Sequence, residues 1–534
     1  MKTGPLAAAA VIAAAVAVSH LPLLTAGYVQ DDHVAVEGNA IVAEGTASTI
    51  VSSSYWETAR GGDRSLYRPV TVASFALEIA ACGSARPAAS HAINLLLHAA
   101  VCWLLYAIAV RCGIDPAAAL LAALLFAVTP SKSEAVANVV GRSELLSALF
   151  TLASIRCALE AGVRSAAWAA AGFVLLASAS KETGLVALPL VVLVALDGRR
   201  ARDAFGLIVP SVLAGIVFAV LRTRALLAFF PAQVVPPIDN PLVLQHGVPY
   251  AATALSLIAR YARIVVFPFG LANDYSGGSI PIEPTWLAFR PLLGVAVLLA
   301  LAWAATRGRV AALFVAITLL PYLLVSNLVV PVGAIFAERF LYLPVAGLCL
   351  LAALAIGTLG RPARVAAIAA IAILGAAMFA RSLDWKSDAT IFAATARNNP
   401  KSSKAAQWLG RADDAIASWP DSAAAWHDKG VALAKNGDLQ GAEQALREAV
   451  RLEPTRPASQ LNLGIVLHRS GKLDAAEREL RKALLLDPKN PRGFAELGHV
   501  RYEQGRYAAA ADAYRRAVAL GRTDLLPRLH ELER

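Results

Sequence analysis

The sequence predicts an all-α chain in two parts, a membrane body of about eleven spans followed by a solenoid of paired helices, and three observations predict it. Only 16% of the 534 residues are charged, against about 25% in an ordinary soluble chain, and the mean hydropathy is positive. The charge is uneven: residues 400–534 carry 22 Lys/Arg and 18 Asp/Glu, leaving 27 and 20 of the chain's 49 and 38 for the longer stretch before them, so a boundary falls near residues 385–400. That C-terminal part repeats itself every 34 residues.

In chain order, a spanning helix needs roughly 20 mainly apolar residues. Runs near that length lie at 4–27, 91–110, 115–130, 144–160, 165–179, 182–197, 205–221, 288–306, 310–328, 339–358 and 363–380. The first follows Lys2 but is long for a signal-peptide core and is followed by many more runs, so it reads as an uncleaved anchor. Short basic loops mark the cytoplasmic side: Arg199, Arg200 and Arg202, then Arg307 and Arg309, then Arg361 and Arg364. Alternation from these puts the 29–90 loop, Ser131 to Arg142, Pro331 to Arg339 and everything after residue 381 on the opposite side. Residues 249–270 are apolar but hold Arg260 and Arg263. An arginine at a helix centre costs ~2.5–3.5 kcal/mol, so this segment reads as an in-plane or re-entrant amphipathic helix on the outer face.

The net charge of +11 sits in clusters between apolar runs, which argues for membrane topology and against nucleic-acid binding. Five cysteines without a CxxC pair give neither a disulfide framework nor a zinc site.

The membrane part is read as residues 1–385, followed by a linker at 386–422 in which Leu409-Gly410 suggests a degenerate repeat. Three units follow at 423–456, 457–490 and 491–524, with an end cap to 534. Gly430, Gly464 and Gly498 set the register; Ala442, Ala476 and Ala510 fall twelve residues later, and Ala449, Ala483 and Ala517 nineteen later. Leu446, Leu480 and Tyr514 take the large position between them, and Pro454 and Pro488 close the first two units. Small residues where paired helices touch and proline at the close are the marks of tetratricopeptide (TPR) repeats. Such an array binds a protein segment or acts as a spacer.

Polar residues gather on the non-cytoplasmic side. Directly after the first run comes Tyr28-Val-Gln-Asp31-Asp32-His33, then Asn39 and Val42. The same face gathers Arg68, His91, Asn94, His98, Glu134, Arg142, Lys181-Glu182 and Glu338-Arg339. Each has a plain structural alternative: a solvated loop for the aspartates, headgroup anchoring for Arg68, Arg142 and Lys181, interhelical hydrogen bonds for His91, Asn94 and His98, and a surface ion pair for Glu338-Arg339. Ionisable groups at membrane depth are expensive and mark sites. Carboxylates and cations on one face suit group transfer from a lipid phosphate, in which Arg and Lys neutralise the departing phosphate and a carboxylate takes the acceptor's proton.

These segments resemble the transmembrane and tetratricopeptide repeat-containing (TMTC) O-mannosyltransferases, relatives of the protein O-mannosyltransferases in the GT-C glycosyltransferase superfamily. The likeness is carried by the Asp31-Asp32 loop through Asn39, Tyr67-Arg-Pro-Val-Thr-Val, His91-Ala-Ile-Asn-Leu-Leu-Leu-His98, Glu134-Ala-Val-Ala-Asn-Val-Val-Gly-Arg142-Ser-Glu-Leu-Leu and Ser180-Lys-Glu-Thr-Gly184. Further on it includes Asp239-Asn-Pro241, Phe267-Pro-Phe-Gly-Leu through Asp274-Tyr-Ser276, Ala337-Glu-Arg-Phe-Leu-Tyr-Leu-Pro344 and Trp385.

The resemblance implies a GT-C-like membrane domain and inverting transfer of a sugar, expected to be mannose, from a polyprenyl or dolichyl phosphate to Ser/Thr hydroxyls of proteins. It implies that Asp31 and Asp32 hold the base, with Asp31 favoured. Arg142, Lys181, Arg339 and Arg68 would meet the lipid phosphate, and Glu134, His91 and Asn94 the acceptor or sugar. No metal and no cofactor beyond the lipid-linked donor is expected. The expected partners are membrane lipid, that donor, and an acceptor or other protein held by the TPR array.

One departure is Thr129-Pro130-Ser131-Lys132-Ser133, where the family carries a His-Pro-x-His-like stretch; Lys132 is a candidate substitute contact to phosphate. An Ala-rich composition with Arg over Lys points to a bacterial inner membrane with the array in the periplasm; a eukaryotic setting would be the endoplasmic reticulum with a luminal array. The competing reading is a non-enzymatic membrane-anchored TPR scaffold. A transporter fits less well, because the polar residues gather at one face instead of the midplane.

Overall fold

The computed structural model describes residues 4–56, 65–160, 164–197, 200–228 and 235–534. Lys2, Arg199 and residues 57–64 of the first loop lie outside the described residues. The chain forms two compact units, Met1–Tyr275 with Ile280–Asn399, and Ser276–Ser279 with Pro400–Arg534. Among the described residues all regular structure is helical.

In the first unit each of the eleven apolar runs is a helix, and proline opens several of them, as at Pro5, Pro87 and Pro116, where its missing N–H costs nothing. Among the described residues, four helices are long and apolar enough to cross a bilayer: Pro87–Arg111, Ala201–Leu226, Glu338–Leu359 and Arg361–Asp384. A fifth is counted if Pro116–Val128 and Pro130–Ala137, bent by 58°, form one span. These make the chain an integral membrane protein; among the described residues, four or five helices reach spanning length by length and composition. The other runs form shorter helices for local reasons. Pro5–Ser19 gives way to a 3-10 turn containing Pro22, and Arg142–Ala158 opens on Arg142, Ser143 and Glu144. At ~1.5 Å per residue, the 17 residues of Phe289–Ala305 or Arg309–Val325 reach about 26 Å, just under the ~30 Å hydrocarbon core.

Residues 249–270 form most of the helix Gly247–Val266, which lies against Phe289–Ala305 at Gly294. A Cβ there would sit 2.2 Å from the Leu255 carbonyl. The described residues of the first loop share an apolar core of Tyr28, Val36, Ile41, Trp56 and Phe75.

The second unit pairs Ala423–Lys435 with Leu439–Leu452, Pro457–Arg469 with Leu473–Leu486, and Pro491–Glu503 with Tyr507–Ala519. A Cβ on Gly430, Gly464 or Gly498 would meet Leu446 at 2.6 Å, Leu480 at 2.7 Å or Tyr514 at 2.4 Å. The repeat therefore needs glycine opposite each of its large residues. Leu409-Gly410 joins the short helices Ser403–Trp408 and Ala412–Ser418, with Gly410 at φ +71°, a conformation glycine tolerates.

Candidate functional site

The two aspartates of the first loop face opposite ways. Asp32 is fully buried and accepts the backbone N–H of Val140 at 2.8 Å and those of Val29 and Val139 at 3.2 Å. Burial pushes its carboxyl up to about 7, against those three N–H groups, which favour the ionised form. Asp32 thereby ties the first loop to the turn at 139–141. Asp31 is exposed, and its charge reaches Arg339 and Tyr55. It follows Gln30, which sits at φ +52°.

Around Asp31 the first unit assembles alternating cations and carboxylates. Glu134 is buried; it accepts the backbone N–H of Arg339 at 2.9 Å and forms an ion pair with its guanidinium. Arg339 keeps 39% of its side chain exposed. Lys181 is ion-paired with Glu144, both mostly buried, and feels the charges of Arg68 and Arg339. Arg68 donates to Glu182 through Nε at 3.0 Å and Nη2 at 2.8 Å, and its guanidinium stands 5.2 Å from the Tyr55 ring centre. The other oxygen of Glu182 lies 3.6 Å from Arg222.

The predicted residues thus divide. Asp31, Glu134, Arg339, Lys181 and Arg68 come together, joined by Glu144, Glu182, Arg222 and Tyr55. Glu144 lay inside a motif but carried no role there. Arg222, at the end of an apolar run, would be read as a flank, although an arginine in that setting is itself a signal.

His91, Asn94 and Arg142 form a separate buried layer. Arg142 has no exposed side-chain surface; it lies 2.6 Å from Glu78, donates to Asn94 Oδ1 at 2.9 Å and stacks on Phe75 at 4.3 Å. A phosphate would have to displace Glu78 to reach it. Asn94 donates toward the carbonyls of Val136, Asn138 and Val139 at 3.4 Å, bracing the turn whose N–H groups hold Asp32. His91 Nε2 meets the Gly27 carbonyl at 3.2 Å. Lys132 is also withdrawn from the role suggested for it: fully buried, it lies 3.3 Å from His98 Nε2 and 4.5 Å from the Phe126 ring centre, closed in by rings.

A cavity of ≈300 Å³ runs between the helices Gly247–Val266, Phe289–Ala305, Arg309–Val325 and Tyr342–Leu359, walled by Tyr261, Val297, Leu301, Tyr322 and Leu348. Its lining is almost entirely carbon. Tyr261 accepts the backbone N–H of Ala337 at 3.1 Å, so one wall is bonded to the turn that carries Glu338 and Arg339.

Residues 433–497 match the family model for the tetratricopeptide repeat. The protein O-mannosyl-transferase TMTC3 of Mus musculus is 26% identical over 497 residues, covering 84% of this chain and 52% of the mouse protein. The protein O-mannosyl-transferase F38B6.6 of Caenorhabditis elegans is 28% identical over 456 residues, covering 82% of this chain and 61% of its own length. The chain therefore spans little more than half the length of these curated relatives. A solved structure of Pseudomonas aeruginosa pilF is 22% identical over 27% of this chain and 78% of that one, with a TM-score of 0.24.

Proposed function

On its likeness to the TMTC protein O-mannosyl-transferases over most of its length, we propose that this chain is a membrane glycosyltransferase. It moves mannose from a polyprenyl or dolichyl phosphate to Ser/Thr hydroxyls of proteins on the non-cytoplasmic face, within a GT-C-like body of about eleven spans. The observation that carries this reading is the exposed residue Asp31 within electrostatic reach of Arg339, in a cluster of paired cations.

In this mechanism Asp31 takes the proton of the acceptor hydroxyl as its oxygen bonds to the anomeric carbon, and the bond from that carbon to the phosphate oxygen breaks. Arg339, with Lys181 and Arg68 behind it, receives the charge that collects on the departing phosphate. Glu134 holds Arg339 from the buried side and leaves its exposed part to the donor. Asp32, Asn94 and Arg142 act one step back, fixing the turn beside the base. The apolar cavity beneath Ala337 suits the isoprenoid tail of the donor, whose phosphate would then lie toward Arg339. The TPR array presents the acceptor or another protein, in the periplasm of a bacterium or the lumen of the endoplasmic reticulum in a eukaryote.

The test is transfer of radiolabelled mannose from polyprenyl phosphate mannose to protein, in membranes carrying wild type, Asp31→Asn or Asp32→Asn at equal expression. Transfer by wild type and its loss in Asp31→Asn support the enzyme. Transfer that persists undiminished in Asp31→Asn removes the base, and a wild type inert toward every lipid-linked sugar offered leaves the scaffold reading in its place.

A further inference from the structure

The two residues that flank the acidic pair are held by one carboxylate far along the chain. Asp388, the first residue of the helix Asp388–Asn398, accepts the backbone N–H of Gln30 on Oδ1 at 2.8 Å. Its Oδ2 faces His33 Nε2 at 3.2 Å. The other ring nitrogen, Nδ1, lies 2.6 Å from Glu37 Oε2. An ionised carboxylate can only accept, so both nitrogens donate and His33 is an imidazolium in this arrangement. The Glu37 hydrogen bond, with Asp388 beside it, raises the pKa of the ring above its ordinary value.

Asp388 is not needed to cap its own helix, because Ser387 and Thr390 form the capping box there. Between its two contacts runs Gln30-Asp31-Asp32-His33. Gln30 lies in the left-handed region at φ +52°, which a non-glycine residue keeps only where its surroundings enforce it. Asp32 points inward to Val139 and Val140. Among the described residues, the charged groups bearing on His33 are Glu37 on its own turn and Asp388 on the facing helix.

We infer that Asp388 and protonated His33 form a clamp that fixes the turn carrying Asp31, and that both are positioning residues for the transfer proposed above, the clamp being complete only while His33 carries both protons. The inference rests on the reading of Asp31 as the base. Deprotonation of His33 removes one of its two carboxylate contacts and loosens the turn. The clamp thus sets the alkaline limb of the activity profile.

The test uses the full chain in lipid nanodiscs as wild type, Asp388→Ala, Asp388→Glu and His33→Gln. Hydrogen exchange of the 29–37 segment, corrected for its intrinsic pH dependence, is followed from about pH 5.5 to 8.5 alongside mannose transfer from polyprenyl phosphate mannose. Wild type is expected to exchange faster as pH rises through the His33 titration, Asp388→Ala to exchange fast throughout, and His33→Gln to lose the pH dependence. In transfer, Asp388→Ala should lower kcat about three- to tenfold with KM for the donor unchanged, Asp388→Glu should recover part of it, and His33→Gln should flatten the alkaline limb. Equal exchange in Asp388→Ala and wild type overturns the clamp. Faster exchange with kcat and pH profile unchanged overturns the positioning role. A wild type that transfers nothing sinks the functional reading and that role with it, while the exchange comparison still decides the clamp.

Discussion

Replacing Asp32 and replacing Asp31 should break different things, although the residues are adjacent. Asp32→Ala leaves three backbone N–H groups, those of buried Val29 and Val139 and half-buried Val140, without an acceptor. Each orphaned donor costs about 1–3 kcal/mol, and because the three share one site the sum is less than additive; about 3–5 kcal/mol is expected. Asp31 is exposed, so Asp31→Ala should change stability by no more than about 0.5 kcal/mol while cutting transfer by ~10²–10⁴, the range for a lost general base. Asp32 also predicts a pH dependence. Its folded-state carboxyl is raised from 3.8 to about 7, so the folded chain binds this proton more tightly than the unfolded chain does. The contribution is full below about pH 4 and is lost as pH rises toward 7, at no more than ~1.4 kcal/mol per unit. Asp32→Asn should flatten that slope. The assay is thermal unfolding in detergent across pH, with transfer measured on the same preparations. An Asp32→Ala midpoint equal to wild type, or an Asp31→Ala midpoint that falls as far as that of Asp32→Ala, would refute the division of roles.

Three further outcomes follow from the same geometry. Arg339→Lys keeps the charge but not the planar fork that meets both Glu134 and an incoming phosphate, and should lose ~10-fold or more in kcat/KM; full activity would show that a point charge suffices. Leu301→Trp fills part of the ≈300 Å³ cavity and should raise KM for the lipid donor while leaving KM for a peptide acceptor unchanged; an effect on acceptor KM alone would count against a tail site. Gly464→Ala drives a Cβ to 2.7 Å from Leu480 and should destabilise the array by about 1–3 kcal/mol, seen as faster protease nicking within 423–534 in membranes; an unchanged pattern would mean that Leu480 gives way without cost.

The array was the most legible part of the sequence because its period repeats a packing contact: the glycine and the large residue that meet across each helix pair recur at fixed offsets, so the sequence carries three copies of the same constraint. The helices of the membrane part were legible as apolar runs; their reach was less so, since a run of 17 residues and one of 22 differ little in composition and much in length. Asp31, Glu134, Lys181, Arg339 and Arg68 stood out in the sequence as ionisable residues at the ends of apolar runs. That signal cannot tell which charges meet. It grouped Arg142 with the open cations although Glu78 neutralises it in the interior, and it gave no sign that Asp388 reaches back 358 residues to Gln30. Pairing across long sequence distance has no local signature.

The pairing of charges bears on why the base should stand where Asp31 stands. Among the described residues, Arg68, Lys181, Arg222 and Arg339 are matched by Asp31, Glu134, Glu144 and Glu182, so these eight groups are formally neutral before the donor arrives. A lipid phosphodiester adds one negative charge. When the bond to the sugar breaks, the phosphate becomes a monoester with a second charge to hold, and its second pKa near 6 keeps it largely dianionic at neutral pH. If the acceptor's proton left to bulk water, the cluster would have to absorb that extra charge in a partly buried setting, where an unmatched charge is costly. If Asp31 takes the proton, one carboxylate loses its charge as the phosphate gains one, and the total stays constant through the reaction. A base within reach of the phosphate's cations is therefore favoured over a more distant one of equal pKa. The electrostatic reach of Asp31 to Arg339 is the feature that meets this condition, and fully buried Asp32, already committed to three backbone N–H groups, does not.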